Sequence, residues 1–280
     1  MDFTPIAPGI FRLVAEPETV NVGLVVGEDR CLLIDAGTSP RQGSEIRALV
    51  AGVTDRPLTT VVATHAHWDH AFGLAAFSDL ETIGHDTWTE TVAGGETITA
   101  LREQNLTADD LHTPTTLLTM IAARDLGGIT VEIAHLGRAH TGGDLIVAIP
   151  ASKVIFTGDL VEIDGPRFDE TTSLRGWVAA LDSLFGMIGD STIIVPGHGE
   201  PAGIDVAGRM RAGVAALWGQ AEWLYHEGIA EDDAYHHDGL QWPWDEATAK
   251  AGIAVAYREL KAQGRPRGHL PIMAVDHRMG

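Results

Sequence analysis

The 280-residue sequence predicts an α/β fold, of the α+β kind, in which two sheets are covered by helices and followed by a helical C-terminal segment. Short runs rich in Val, Leu and Ile, separated by turn residues, dominate the chain up to about residue 203. Beyond that point, residues 206–226 and 246–263 are alanine-rich and have helical spacing. We therefore expect a domain over residues 1–203 and a helical extension over residues 204–280 that packs on it.

The first third of the chain is predicted to hold strands separated by turns and two helices. Gly27-Glu28-Asp29 interrupts two apolar runs and is typical of a hairpin turn. The run Thr59 to Thr64 indicates a buried strand, and a short helical stretch follows it. The predicted strands are 9–15, 21–27, 30–36 and 59–64, and the predicted helices are 44–53 and 69–77.

The middle of the chain alternates between helical and strand patterns. Residues 87–102 favour a helix that the pair Gly94-Gly95 interrupts. Two hairpin-like strand pairs are expected next, then a helix and a last buried strand. These elements are the pair 115–120 with 129–136, the pair 145–149 with 154–157, the helix 174–188 and the strand 193–195.

Charge and apolar content restrict the partners that we expect. The formal net charge is −20, so the surface repels phosphate backbones and anionic lipid heads, and we predict neither nucleic acid nor a membrane as partner. No apolar run reaches membrane-spanning length, and no signal peptide is visible. A cytoplasmic location is the expectation, while a mature secreted form stays open. The single cysteine, Cys31, lies in an apolar run and is expected to be a buried packing residue.

The densest chemical signal is the run His65-Ala66-His67-Trp68-Asp69-His70. Four ligand-type side chains fall within six residues at the end of a predicted buried strand. Residues two apart on extended backbone share a face, so His65 and His67 can chelate one ion. Asp69 and His70 follow the turn and can point at a second ion. Imidazole and carboxylate suit zinc, with iron or manganese also possible.

Three further elements carry a ligand-type residue just past a strand or in a glycine-rich turn. His140 lies in Gly137 to Asp144, Asp159 follows Thr157-Gly158, and His198 lies in Pro196-Gly197-His198-Gly199. Each is weak alone, because loop histidines and Gly-Asp pairs are common. The four elements together, in this order, are far more specific.

With these motifs the sequence resembles the metallo-β-lactamase superfamily over roughly residues 8–200. The resemblance implies a four-layer αββα sandwich, a catalytic domain over residues 1–203, and two metal ions, most simply zinc, at one edge between the sheets. It implies that the first ion is bound by His65, His67 and His140, the second by Asp69, His70 and His198, and that Asp159 bridges the two.

The resemblance also extends to residues around the ligands. Asp35-Ala36-Gly37 is similar to an Asp-x-Gly turn of the family, so Asp35 is expected beside a ligand, and Asp144 is expected to orient a histidine. Two departures matter. Asp159 is a cysteine in one large group of true β-lactamases, and His67 is a glutamate in the di-iron redox branch. The aspartate at 159 therefore disfavours antibiotic hydrolysis by the chemistry of those β-lactamases, and the histidine at 67 disfavours di-iron electron transfer.

The chemistry expected of such a site is hydrolysis of a small-molecule carbonyl substrate. Two ions about 3.5–4 Å apart can share a hydroxide at neutral pH. That hydroxide would attack an ester, thioester, lactone or amide, and Asp69 is the candidate catalytic residue for handling the proton. Trp68 and Phe168 are candidate substrate-binding residues, and Arg167 and Arg175 are candidate receptors for a substrate carboxylate.

Several alternatives remain open at this level. Within hydrolysis, a thioesterase like glyoxalase II, a lactonase and a β-lactamase proper are all compatible with the motifs. A mononuclear iron persulfide dioxygenase would use a subset of the same ligands. A nuclease is disfavoured by the net charge, and a binding protein with a degenerate site is disfavoured because all seven ligand positions are filled.

The remaining histidines and the C-terminal aromatic residues receive structural interpretations. The C-terminal aromatic residues are expected to pack helices or to form an interface, so the extension is predicted either to roof the active site or to make a homodimer. The histidines expected to be structural or exposed are His85, His112, His135, His226, His236, His237, His269 and His277.

Overall fold

The computed structural model describes residues 1–264, in which two sheets face each other. The seven-stranded sheet has the order β1-β2-β3-β4-β5-β6-β7, and the five-stranded sheet has the order β12-β11-β10-β9-β8. The strands are β1 Thr4–Ala7, β2 Ile10–Ala15, β3 Val20–Val26, β4 Cys31–Ile34, β5 Leu58–Val62, β6 Glu81–His85, β7 Thr116–Leu118, β8 Ile121–Asp125, β9 Thr130–His135, β10 Leu145–Ile149, β11 Val154–Gly158 and β12 Ile193–Pro196.

Helices lie between and after the strands. Ser39 accepts a hydrogen bond from the Gln42 amide and Pro40 opens α1, so this helix begins four residues before the predicted start. Ser173 caps α5 in the same way, by accepting from the Gly176 amide. The helices are α1 Pro40–Val53, α2 Trp68–Ala71, α3 Trp88–Val92, α4 Gly95–Glu103, α5 Leu174–Phe185, α6 Ile204–His226, α7 Glu231–Ala234 and α8 Glu246–Ala262, with a 3₁₀ helix at Phe72–Phe77.

Three apolar clusters define the layers. Between the sheets, Ile34 and Val62 of the first pack with Val147 and Phe156 of the second. A second cluster joins the outer face of the first sheet to α1. A third joins the outer face of the second sheet to α5, α6 and α8. This αββα arrangement confirms the predicted fold class, because each sheet buries one face against the other sheet and one against helices.

One predicted strand pairing is wrong. The predicted hairpin of 115–120 with 129–136 does not form, since β7 lies parallel to β6 in the first sheet. β9 pairs instead with β8, a strand that, like β1 and β6, was not predicted from the sequence. The chain crosses from one sheet to the other at Thr119-Met120, so two short strands that adjoin in sequence belong to different sheets. The pairing of Leu145–Ile149 with Val154–Gly158 is confirmed.

The C-terminal helices share a core with the second sheet. Leu217 of α6 and Tyr257 of α8 are fully buried in the same cluster as Ile146 of β10. A domain division at residue 203 stays a prediction. Among residues 1–264, no helix combines the length and apolar character needed to cross a membrane. The interpretations of His269 and His277 lie outside the described residues.

Candidate metal centre

The predicted ligands gather where strands of both sheets end. His65 and Asp159 follow β5 and β11, and His198 follows β12. The parallel pairs β4/β5 and β11/β12 bring the carboxyl ends of these strands together. The turn that carries His198 is tied to the first sheet, because the Asn21 amide donates to the Gly197 carbonyl at 2.8 Å. The two halves of the site are therefore held by hydrogen bonds between the sheets.

The first group contains the three histidines assigned by the resemblance to one ion. Nε2 of His140 lies 2.9 Å from Nδ1 of His67. Oδ2 of Asp159 lies 3.6 Å from Nε2 of His140 and 3.9 Å from Nε2 of His65. All four residues are buried, and their ligand atoms lie within 4.8 Å of one another. The group has the donor types and the compactness of a metal site.

The second group contains the three residues assigned to the other ion. Nε2 of His198 lies 3.4 Å from Nε2 of His70 and 3.4 Å from Oδ2 of Asp69. Nε2 of His70 lies 3.9 Å from the same carboxylate oxygen. Asp69 and His70 are buried, and His198 is partly exposed. The opening to solvent is therefore on the His198 side.

Asp159 lies between the two groups. Its Oδ1 is 3.3 Å from Nε2 of His70, and its Oδ2 is 3.6 Å from Nε2 of His198. The same carboxylate thus contacts histidines of both groups. A glycine is required beside it, since a Cβ at Gly197 would overlap Oδ1 of Asp159.

The outer ring nitrogens of the histidines are fixed so that the inner ones converge. Nδ1 of His70 donates to Asp35 at 2.8 Å, and Nδ1 of His198 donates to the Glu18 carbonyl at 2.9 Å. Nε2 of His67 donates to Asp169 at 3.0 Å. A neutral imidazole that donates through one nitrogen presents a lone pair on the other. In the neutral form that metal ligation requires, the other nitrogen of each of these three histidines presents its lone pair toward the centre.

Two buried polar atoms at this centre make no hydrogen bond to the described residues. Nε2 of His65 and Oδ1 of Asp159 are buried without a hydrogen bond. Buried polar groups are normally paired, and converging lone pairs beside carboxylates are what a cation satisfies. The residues present therefore fit bound metal.

Burial and charge set the protonation of the centre. Burial, together with the neighbouring His70, holds the pKa of His65 well below its usual value, and burial with His67 lowers the pKa of His140 to about 3. Both rings are consequently neutral, as metal ligation requires. Burial alone would raise the pKa of Asp159, but the facing His70 outweighs it and holds that pKa well below the ordinary range.

Asp35 lies beside the second group, as its resemblance to the family's Asp-x-Gly turn implied. Its Oδ1 accepts from the Thr64 amide at 2.7 Å and its Oδ2 from the Thr64 hydroxyl at 2.9 Å, besides the bond to His70. Its backbone has φ of +62°, a conformation uncommon for residues other than glycine and easiest for Asn and Asp. The short polar side chain and the turn are therefore both required.

The expectation for Asp144 is wrong. Its carboxylate accepts from the amide and hydroxyl of Thr141 and shapes the turn that carries His140, instead of bonding a histidine ring. The turn is tight enough that the carboxylate is used locally. Burial raises the pKa of Asp144 to about 7.

Three acidic residues near the histidines were missed. Asp169 bonds His67, and Oε2 of Glu96 on α4 lies 3.3 Å from the same Nε2. Burial by itself would lower the pKa of His67, but Asp169 and Glu96 outweigh it and raise that pKa. Glu162 lies 3.9 Å from Nδ1 of His140. None stands directly after a strand or belongs to a ligand motif, so the local sequence carries no clear signal for these contacts.

Arg167 reaches the second group, whereas Arg175 does not. The Arg167 guanidinium donates to Oδ2 of Asp69 at 3.3 Å and lies 3.0 Å from Nε2 of His198, with its side chain 46% exposed. Arg175 instead lies over the ring of Trp218. Arg167 is therefore a cation available to a molecule bound at the second group.

The two aromatic candidates occupy different surroundings. Trp68 is half-buried within the ligand run. The Phe168 ring packs against Trp177 and Trp244, with centroids 6.1 and 6.5 Å apart. That packing joins Phe168 to the helical core. Substrate contact by either residue stays a prediction.

Two known hydrolases are similar in sequence to this chain. The chain is 26% identical over 223 residues to the acyl-coenzyme A thioesterase MBLAC2 of Gallus gallus, covering 69% of this chain and 79% of that protein. It is 32% identical over 171 residues to hydroxyacylglutathione hydrolase of Ruegeria pomeroyi, covering 59% and 58%. These relatives confirm the expectation that the chain is an enzyme, a metallo-hydrolase.

Solved structures and a family model agree on the fold. The stereoselective inverting sec-alkylsulfatase Pisa1 from Pseudomonas sp. superposes with a TM-score of 0.75 at 17% identity, and the match covers 92% of this chain and 50% of that one. The chain thus spans about half the length of that sulfatase. The model of the metallo-β-lactamase superfamily matches residues 15–198, more than half of the sequence. The chain therefore belongs to the metallo-β-lactamase superfamily.

Proposed function

We propose that this protein is a dinuclear zinc hydrolase that cleaves an ester, thioester, lactone or amide of a small molecule. The observation that carries the proposal is the position of Asp159, whose carboxylate contacts histidines of both groups. A carboxylate between two sets of nitrogen ligands is the arrangement expected for a bridged pair of metal ions. His65, His67 and His140 would hold one ion, and Asp69, His70 and His198 the other.

The protein supplies position and charge. When bound, two zinc ions supply an activated water molecule as nucleophile and polarise the substrate carbonyl. The outer hydrogen bonds from Asp35, Asp169 and the Glu18 carbonyl keep the inner nitrogens of three histidines aimed at the centre. Burial alone would raise the pKa of Asp69, but the facing His70 and His198 outweigh it and hold that pKa below the ordinary range. Asp69 is therefore ionised, which suits a ligand; its role in proton transfer stays a prediction.

Arg167 restricts the substrate. Its half-exposed guanidinium lies at the partly open His198 side of the centre and places a positive charge 3.3 Å from Oδ2 of Asp69. A planar fork of donors matches a carboxylate, sulfate or phosphate group. We therefore favour substrates that carry an anionic group near the scissile bond.

Metal analysis and a substrate panel test the proposal. The full chain, purified without added metal, is assayed for bound zinc and iron, and then for turnover of thioesters, lactones, β-lactams and persulfides. We expect two equivalents of zinc and hydrolysis of at least one carbonyl substrate. Asp159→Ala and His67→Ala should abolish turnover. Asp182→Ala, which removes an exposed carboxylate paired with Arg211, should leave it unchanged.

Other outcomes would replace the proposal. One equivalent of iron with oxygen-dependent persulfide turnover would establish the dioxygenase instead. Equal turnover by wild type, Asp159→Ala and His67→Ala would exclude catalysis at this centre. Salt-sensitive RNA binding would contradict the expected small-molecule substrate, since a chain of net charge −20 should repel phosphate backbones. A homodimer and a cytoplasmic location also remain proposals, which light scattering and fractionation test.

A further inference from the structure

A turn formed by Asp169 to Thr172 contacts two histidines of the first group. Oδ2 of Asp169 accepts from Nε2 of His67 at 3.0 Å. The Thr172 hydroxyl donates to the backbone carbonyl of His140 at 2.7 Å. The adjoining Thr171 hydroxyl accepts from the Gly142 amide at 3.1 Å. The turn therefore positions His67 through its ring and His140 through its backbone.

The turn is closed by its own acidic residue. Oδ1 of Asp169 accepts from the Thr171 amide at 2.6 Å and from the Thr172 amide at 2.8 Å. One carboxylate thus shapes the turn with one oxygen and fixes the histidine with the other. A displacement of this backbone would move the acceptor of His67 and the donor to His140 together.

The C-terminal helix α8 holds the turn from outside. Nη1 of Arg258 donates to the Asp169 carbonyl at 3.2 Å, and Nη2 donates to the Thr172 carbonyl at 2.9 Å. The next residue, Glu259, accepts from the Leu174 amide at 2.6 Å. The opposite face of α8 is anchored, since Tyr257 and Leu260 are fully buried. The planar guanidinium of an arginine can donate to two carbonyls of one turn at once, whereas a lysine ammonium is a point charge without that fixed geometry.

We propose that Arg258 is a positioning residue of the metal centre, which acts by holding the Asp169–Thr172 turn against His67 and His140. The helical extension thereby sets the metal affinity of the first group. The inference rests on the metal centre proposed above, but it does not depend on which substrate is hydrolysed.

Zinc affinity measures this role directly. Competition with a chromophoric chelator is carried out on the full chain, and again in a His198→Ala background that leaves the first group intact. Arg258→Gln should weaken zinc binding to the first group on the order of 10-fold, the range typical of outer partners of metal ligands. Arg258→Lys should recover part of the loss, because its ammonium can donate to the same carbonyls. The matched control is Arg211→Gln, whose fork pairs Asp182 between α6 and α5 without contacting the turn.

The proposal fails if Arg258→Gln binds zinc like the wild type, or if Arg211→Gln weakens binding equally. It also fails if Arg258→Lys is no better than Arg258→Gln, since loss of packing alone would then explain the effect. Should Arg258→Gln not fold, Asp169→Asn tests the next contact in the series, and unchanged affinity there overturns the proposal. A wild type that binds zinc but hydrolyses nothing contradicts the proposed function and leaves this measurement valid.

Discussion

Gly197→Ala should displace the carboxylate that joins the two groups. The Gly197 amide donates to the Gly158 carbonyl at 2.8 Å, and its carbonyl accepts from the Asn21 amide at 2.8 Å, so the backbone is held on both sides. A new Cβ would overlap Oδ1 of Asp159 and lie 2.9 Å from its Cγ. The carboxylate must rotate away. Overpacking of this kind costs about 1–3 kcal/mol of folding free energy.

Loss of Asp159 from the centre should also cost metal affinity and turnover. Because a ligand is displaced, zinc binding should fall by more than the roughly 10–100-fold seen for outer partners. Chelator competition measures the zinc affinity, and urea unfolding measures the stability. Turnover is measured with the substrate that the panel identifies. Gly208→Ala is the control, because it lies in a helix and its Cβ would meet nothing within 4 Å. It should change the stability but leave zinc affinity and turnover unchanged. Wild-type zinc affinity in Gly197→Ala would refute the placement of Asp159.

Three further predictions follow from single contacts. Asp35→Asn keeps a side chain that tolerates the positive φ but removes the charged acceptor of His70. The affinity for one zinc equivalent, measured by chelator competition, should therefore fall roughly 10–100-fold. Unchanged affinity would contradict a supporting role for Asp35. Arg167→Gln removes a cation that competes for Asp69 and His198, so one equivalent should bind more tightly while the KM of anionic substrates rises; an unchanged KM would show that Arg167 does not receive the anion. Burial raises the pKa of Cys31 to about 11, so a thiol reagent at pH 8 should label the protein only after denaturation; rapid native labelling would contradict its burial.

The sequence alone predicted most of the strands and the fold class. Apolar runs and turn residues act locally, so β2 to β5 and β10 to β12 could be recognised from their own residues. The pairing of β7 could not, since a three-residue strand offers no periodicity to say which sheet edge it joins. Strand β6, which ends in Gly84-His85, was not predicted. It is recognised as a strand only by its pairing with β5 and β7 in the sheet.

The candidate ligands were likewise visible in the sequence, because each follows a strand or lies in a glycine turn, and their order matched a family pattern. The resemblance also implied that Asp159 bridges the two groups. The tertiary structure alone decided that Arg167 contacts Asp69 and that Asp169 and Glu96 contact His67. Arg167 lies 98 positions from Asp69 in the sequence, and Asp169 lies 102 positions from His67. Glu96 lies 29 positions from His67. Local sequence specifies local backbone, whereas such side chains meet only after two sheets and the C-terminal helix have packed.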